Sequence, residues 1–155
     1  FYVYKTAGVE HGLICAVADQ GTSTVWSDLS TTLIGTTAQS TWDGLSNSNA
    51  IATYGTSTVS AAKLCLDYTN TDTGTGVYSD WYLPSMRELS LMYSQAFAID
   101  KALSPSGGFA SATNVYYWGS TETTSIYAWS LSFANGSQGG QMKVNLYYVR
   151  AVRAF

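Results

Sequence analysis

Residues 116–155 read YYWGSTETTSIYAWSLSFANGSQGGQMKVNLYYVRAVRAF. Tyr and Trp recur there among Ser, Thr, Gly and small apolar residues, and the only charged residues are Glu122, Lys143, Arg150 and Arg153. Tyr and Trp supply large contact areas at low entropic cost, and Ser, Gly and Asn supply adaptable hydrogen bonds, the mixture typical of antibody paratopes. The segment therefore indicates a ligand-binding surface carried on β-strands, predicted at 116–120, 127–133, 141–145 and 148–154.

The composition of the whole chain narrows the class of protein. Its 155 residues fit a single domain, 1–155. The low charged fraction of 11% and the aromatic fraction of 14% favour an extracellular, virion-surface or cell-surface location. A net charge of −3 without a basic run argues against nucleic-acid binding. No apolar run approaches the roughly 18 residues of a membrane span, and a start at Phe1 indicates the C-terminal part of a longer protein.

Upstream of this segment the pattern predicts an α+β domain. Short β-prone runs at 1–5 and 11–17 are separated by glycines and predict two strands. Residues 19–41 show no sustained period and predict an irregular loop. Helical spacing at 46–54 and 60–68 predicts two short helices, the second opening with a serine suited to N-capping.

The clearest local signal is DWYLPSMRELSLMYSQAF, residues 80–97. An apolar strand at 81–83 is followed by Ser85 as a helix N-cap, with Glu88 three residues later completing a capping box. The helix is predicted to end near Ile99. Its buried face is predicted from positions i, i+3, i+4 and i+7, namely Leu89, Met92, Tyr93 and Ala96. A loop through Ser104, Pro105, Gly107 and Gly108 is expected to follow.

Residue types that carry catalysis or bind metals are sparse. His11 is the only histidine, and a surface or hydrogen-bonded role is favoured over a catalytic or metal-binding one. TNTDTGTG, residues 69–76, lacks the bidentate Glu of a calcium loop and is predicted to be solvated. Cys15 and Cys65 match no metal-ligand spacing, so a disulfide and two buried thiols both remain open. We expect no catalytic residue, metal or cofactor.

Several motifs together resemble a known family. They are HGLICA (11–16), DWYLPSMREL (80–89), YYWGSTE (116–122), FANG (133–136) and YVRAVRAF (148–155). They are similar to the collagen-like adhesin C-terminal domain family and, within it, to the variable proteins of diversity-generating retroelements. The resemblance implies a C-type lectin-like fold, with small antiparallel sheets, two or three flanking helices and paired N- and C-terminal strands. It also implies that 116–155 is the variable region.

The same resemblance implies how that region varies. Adenines in template codons, chiefly AAC and AAT, are randomised on copying, so such codons reach most amino acids but never Trp, Met, Gln, Glu or Lys. Unreachable residues would form the scaffold: Trp118, Glu122, Trp129, Gln138, Gln141, Met142 and Lys143. The implied variable, ligand-binding positions are Tyr116, Gly119, Thr123, Thr124, Ser125, Ile126, Tyr127, Ser130, Ser132, Ala134, Ser137, Gly139, Gly140, Val144, Leu146 and Tyr147.

The function expected from these observations is non-enzymatic binding of a protein or glycan receptor on a host cell or other target surface, without membrane insertion. Alternation around Trp129 and Leu131 predicts that these two are core and that Ser130 and Ser132 are exposed. Arg150 and Arg153 are expected to be structural, with Glu122 as a partner. The alternatives are a fixed-specificity carbohydrate-binding adhesin domain and an oxidase of the sulfatase-modifying type, which would need reactive cysteines.

Overall fold

The computed structural model describes residues 1–54, 58–104, 108–109 and 115–155, so Pro105 and Gly107 of the predicted loop lie outside the described residues. The chain is an α+β domain in which two small sheets are flanked by helices, consistent with a C-type lectin-like fold. A short 3₁₀ turn lies at Thr36–Ala38. The elements in order are β1 (Tyr2–Thr6), β2 (Val9–Cys15), β3 (Gly21–Thr24), α1 (Gly44–Thr53), α2 (Ala61–Leu66), α3 (Met86–Ser94), α4 (Ala96–Leu103), β4 (Tyr117–Glu122), β5 (Tyr127–Leu131), β6 (Gln138–Met142), β7 (Tyr147–Val149) and β8 (Val152–Ala154).

The first sheet joins the two ends of the chain. Strand β2 lies between β1 and β8 and is antiparallel to both. The β1–β2 turn places Ala7 and Gly8 at positive φ, 51° and 84°, as a tight hairpin turn requires. The N- and C-terminal strands thus lie in one sheet, joined through β2, with β1 and β8 at its two edges.

The second sheet has the order β3-β7-β4-β5-β6 and is antiparallel except between β4 and β7. Every residue of the central strand β4 is buried. Tyr117 belongs to one apolar cluster and Trp118 to the other. Since successive residues of a strand point to opposite faces, this part of the sheet is covered on both faces, by α1 and α2 on one and α3 on the other.

The predicted capping box is confirmed. Ser85 Oγ accepts a hydrogen bond from Glu88 N (3.4 Å), and Glu88 Oε2 accepts one from Ser85 N (2.7 Å). Leu89 and Met92 are buried as predicted. The single helix predicted to reach residue 99 is instead two, because the backbone at Gln95 leaves the helical region (φ −106°, ψ 9°) between α3 and α4.

Strand boundaries in low-propensity segments were predicted wrongly. The loop predicted at 19–41 contains β3, and the strand predicted at 81–83 is a single bridge between Tyr82 and Val152. Strand β6 begins at Gln138, three residues earlier than predicted, because its glycines have no strand propensity of their own. The strand predicted at 148–154 is divided at Arg150, where the chain passes from one sheet to the other.

Candidate functional site

Two turns lie side by side at one end of the second sheet: residues 123–126, between β4 and β5, and residues 143–146, between β6 and β7. We call them the turn pair. Tyr127 and Met142 are register partners on β5 and β6. One residue further out, Lys143 N donates to Ile126 O at 3.0 Å. The two turns are therefore tied directly to each other by their backbones.

Each turn also closes on itself. Thr123 N and Thr124 N both donate to Tyr127 O, at 3.0 and 3.1 Å. In return, Thr124 Oγ1 accepts from Tyr127 N at 3.1 Å. In the other turn, Asn145 N donates to Met142 O at 2.8 Å. Backbone and side-chain bonds together fix both loops, so their exposed side chains project from a defined frame.

A buried ion pair lies under the turn pair. Lys143 Nζ is 2.6 Å from Glu122 Oε1, and both side chains are 0% exposed. Lys143 Nζ also donates to Thr32 O at 2.9 Å, while Glu122 accepts from Ile34 N at 3.0 Å and Gly35 N at 2.8 Å. Because both charges are hydrogen-bonded to further groups, their desolvation is compensated. The pair joins both turns to the 32–35 segment.

The outward side of the turn pair is apolar. Backbone alternation buries Lys143 and exposes its neighbours Met142 and Val144. We define the apolar patch as five side chains that are 38–60% exposed: Ile126, Tyr127, Met142, Val144 and Leu146. Lys143 is the only charged residue between 123 and 147, and it is buried. Residues 123–147 thus offer apolar contact and hydroxyl groups but no exposed charge, an arrangement that marks a candidate interaction site.

A group of aromatic rings continues from the turn pair along β7. Tyr147 lies between Tyr116 and Trp118, with ring centroids 5.2 and 4.7 Å apart. Its hydroxyl donates to Gln141 Oε1 at 3.2 Å and accepts from Asn145 Nδ2 at 3.0 Å. Tyr147 is half-buried, so packing and hydrogen bonds both hold its ring in place.

The implied variable residues do not form one surface. Thr123, Thr124, Ile126, Tyr127, Val144 and Leu146 are exposed at the turn pair, and Ser125 is half-buried there. Gly140 joins them, since a Cβ at that position would lie 3.2 Å from Thr123 Oγ1. Tyr116, Tyr147 and Gly139 are half-buried beside this group, whereas Ala134 and Ser137 lie in the β5–β6 turn at the other end of β5.

The exposure predicted for Ser130 and Ser132 is wrong: they are 0% and 2% exposed. Ser130 sits between Trp118 and Gly139 in the sheet register, and its Oγ has no hydrogen-bond partner in the described chain. Trp129, predicted to be core, is partly exposed. Alternation identifies two faces, but it cannot say that both faces of a sheet are covered. Gly119 is also buried.

The partner predicted for Arg150 is wrong as well. Arg150 is buried as expected, but Nε pairs with Asp19 Oδ1 at 2.6 Å, and the guanidinium also donates to Ala16 O and Gly108 O. Glu122 instead forms an ion pair with Lys143. Arg153 pairs with Asp80. The sequence places Asp19 in a low-propensity loop far from Arg150, and no local pattern indicates this contact.

The other groups considered for chemistry have structural roles. Asp72 Oδ1 accepts from Gly74 N and Gly76 N, and these bonds hold the pKa of its carboxyl below the usual value. Cys15 and Cys65 are free thiols, and burial raises the pKa of each. His11 stacks on Tyr4. Within the described ranges, no group of three or more His, Cys, Asp or Glu could hold a metal ion, and no helix could cross a membrane.

Comparison with known proteins gives one family. The family model described as the Lcl C-terminal domain matches residues 15–153, which includes all of the second sheet and the turn pair. A search of curated proteins gives no match.

Proposed function

Because the chain belongs to the Lcl C-terminal domain family, which indicates an adhesin-like binding domain, we propose that it binds a receptor on a target surface through the turn pair. The receptor is a protein or glycan on a host cell or other target, and the domain acts from an extracellular, virion or cell surface. The observation that carries this proposal is the apolar patch: Ile126, Val144 and Leu146 on the two turns and Tyr127 and Met142 at the adjoining strand ends, with a buried ion pair beneath them.

Preorganisation supports the assignment. Binding costs entropy when loops and side chains must be ordered at the interface. Here the backbone bonds of Thr123, Thr124 and Asn145 and the ion pair of Lys143 with Glu122 already fix the frame. Tyr127 supplies a rigid, amphipathic side chain of the type enriched at binding hot spots. The exposed turns can therefore contribute contact area without a large ordering cost.

We further propose that retroelement-directed adenine mutagenesis diversifies this surface. The residues that an AAC or AAT codon can reach account for most of the turn pair. Of the seven residues that it cannot reach, Trp118, Glu122 and Lys143 are buried, Trp129 and Gln141 are half-buried, and Gln138 and Met142 are exposed. The exposure of the reachable residues in the two turns supports the proposal, because substitutions in exposed turns cost little stability whereas core substitutions commonly cost about 1–3 kcal/mol.

Met142 occupies a special position under this proposal. Adenine-rich codons of the AAC type cannot produce Met, yet its side chain is 46% exposed inside the apolar patch. A flexible thioether side chain adapts to differently shaped partners. Met142 would thus be a constant apolar contact shared by all variants, surrounded by residues that change.

The buried members of the implied set tolerate less change. A Cβ at Gly119 would lie at ordinary contact distances, 3.4 Å from Pro84 O and 3.5 Å from Leu89 Cδ2. The site therefore has room for a Cβ. Ser130 and Ser132 are enclosed in the sheet. We therefore propose that the turn pair and Gly140 determine specificity. At Gly119, Ser130 and Ser132 we expect variants to carry small residues.

A non-enzymatic role is part of the proposal. An oxidase that works through cysteines needs accessible thiolates, whereas burial keeps both thiols here protonated. This supports binding rather than catalysis.

Sequencing the gene in a natural population of its source tests the proposal. Substitutions should concentrate at the turn pair, with Trp118, Glu122, Met142 and Lys143 constant and each variable codon aligned with an adenine in a template copy. Substitutions scattered along the whole gene would contradict diversification. A single conserved turn-pair sequence would favour a fixed-specificity adhesin, and a glycan array with Tyr127→Ala as control would then identify sugar binding.

A further inference from the structure

A second concave surface lies away from the turn pair. It is a cavity of about 780 Å³ between the first sheet and the start of α3. We call it the aromatic groove and define it by Tyr2, Tyr4, His11, Trp42, Arg87 and Phe155. No residue of the turn pair lines it. Its volume is in the range of small-molecule sites, about 300–1,000 Å³.

The walls of the groove are aromatic and exposed. Tyr2, Tyr4, Trp42 and Phe155 are 42–67% exposed, although large aromatic side chains are normally covered. Gly12 lies in the wall of the groove that the first sheet forms. A side chain there would collide with the Tyr2 carbonyl and the Phe155 ring, so glycine allows Tyr2 and Phe155 to approach each other closely. Four uncovered rings around one cavity offer stacking surfaces for a flat apolar molecule.

Arg87 provides the charge. Its guanidinium stacks 3.7 Å from the centroid of the Trp42 ring. Among the described residues no carboxylate pairs with it. A guanidinium that stacks through its face keeps its in-plane N–H groups free, and these match a carboxylate in bidentate geometry. The Arg87 backbone is fixed too, because Arg87 N donates to Thr41 O at 3.1 Å.

The carboxylate that lines the groove, Glu88, does not compete for Arg87. Glu88 Oε2 accepts from Ser85 N at 2.7 Å and Gly44 N at 3.1 Å, and Oε1 accepts from Tyr82 OH at 2.9 Å. These bonds turn Glu88 toward the helix cap. Arg87 is therefore the charged group of the groove that has no carboxylate partner among the described residues, and it suits an anion.

From this combination we propose that the aromatic groove binds a planar aromatic carboxylate. The ring lies against the aromatic walls and the carboxylate accepts hydrogen bonds from Arg87. Both parts are required: the ring supplies apolar burial and the anion meets the unpaired guanidinium.

Three probes separate these requirements in calorimetric or NMR titrations of the intact chain: 2-naphthoate, its neutral analogue 2-naphthalenemethanol, and acetate. We expect 2-naphthoate to bind and to shift the Trp42 indole resonance, with the other two at least about tenfold weaker, as the loss of a charge-assisted hydrogen bond or of ring burial predicts. Arg87→Gln and Trp42→Ala should each weaken 2-naphthoate by about tenfold or more.

The matched control is Lys63→Gln, which removes one exposed positive charge on α2 and should leave affinity within about twofold. Tyr127→Ala, at the turn pair, should also leave it unchanged. Equal binding of the neutral alcohol, absence of 2-naphthoate binding, or equal losses in Lys63→Gln and Arg87→Gln would each overturn the proposal.

Discussion

Lys143 Nζ lies 2.6 Å from Glu122 Oε1, with both side chains fully buried beneath the two turns that carry the apolar patch. The contact joins the end of β4 to the β6–β7 turn, so it fixes the two halves of the proposed binding surface relative to each other. Three backbone groups, Thr32 O, Ile34 N and Gly35 N, complete the hydrogen bonding of the pair.

Lys143→Met should destabilise the domain by about 3–5 kcal/mol, because it leaves Glu122 buried without its counter-charge. Chemical denaturation measures this as a lowered midpoint. Lys63→Met is the control: it removes an exposed ion pair with Asp67 and should cost less than about 1 kcal/mol. Equal losses in the two variants would show that the buried pair does not support the turns.

Changes at exposed turn positions should be tolerated. We expect Ile126→Ser, Val144→Asn and Leu146→Asp together to leave the melting temperature within a few degrees, because the three side chains project outward from the turn pair. Ser130→Tyr should lower it strongly, because a ring cannot fit where the side chain is fully enclosed. Thermal scans compare the two variants, and the opposite order would mean that the exposed and buried positions are assigned wrongly.

Glu88 should make stability fall as pH rises. Burial raises the pKa of its carboxyl in the folded chain, so between the unfolded value, about 4.3, and the folded pKa the native state binds more protons than the unfolded one. Glu88→Gln keeps a capping side chain but does not titrate. We therefore compare the melting temperatures of the wild type and Glu88→Gln. The difference, wild type minus variant, should decrease as pH rises through this window and then level off, and an increase would contradict the assignment.

Cys15 and Cys65 should react slowly with a thiol reagent in the native state. Burial raises the pKa of both thiols, and Cys65 is the more enclosed. We expect Cys15 to react first, Cys65 only on unfolding, and two thiols in total in denaturant. A disulfide, seen as no free thiol under denaturing conditions without reductant, would contradict this.

Local signals in the sequence located much of the fold. The Ser85–Glu88 capping box, the N-cap at Ser60 and the helical spacing of Leu89 and Met92 each depend on near neighbours, and each is confirmed. The α+β class followed from the same signals. Long-range contacts could not be predicted. Arg150 pairs with Asp19, which is 131 positions away in the sequence, and no local pattern indicates that pairing.

The candidate site, like the fold, could be predicted from the sequence only in part. Composition and the family resemblance pointed to 116–155, and the turns at 123–126 and 143–146 expose five of the sixteen implied positions: Thr123, Thr124, Ile126, Val144 and Leu146. Alternation along β5 could not reveal that Ser130 and Ser132 are enclosed, because it depends on which faces of the sheet are covered. The aromatic groove was missed altogether, since Tyr4, Trp42 and Arg87 come together only through the tertiary fold.

The most direct test of the account is to ask whether the turn pair can acquire new binding specificities without loss of the fold. One displayed library randomises Thr123, Thr124, Ile126, Tyr127, Val144 and Leu146, and a control library of equal size randomises 91, 94, 95, 97, 98 and 101 on α3, on α4 and at the junction between them. Both are selected against one globular protein, lysozyme. We predict folded binders from the turn-pair library at a much higher frequency than from the control; equal frequencies, or unfolded turn-pair clones, would contradict the account.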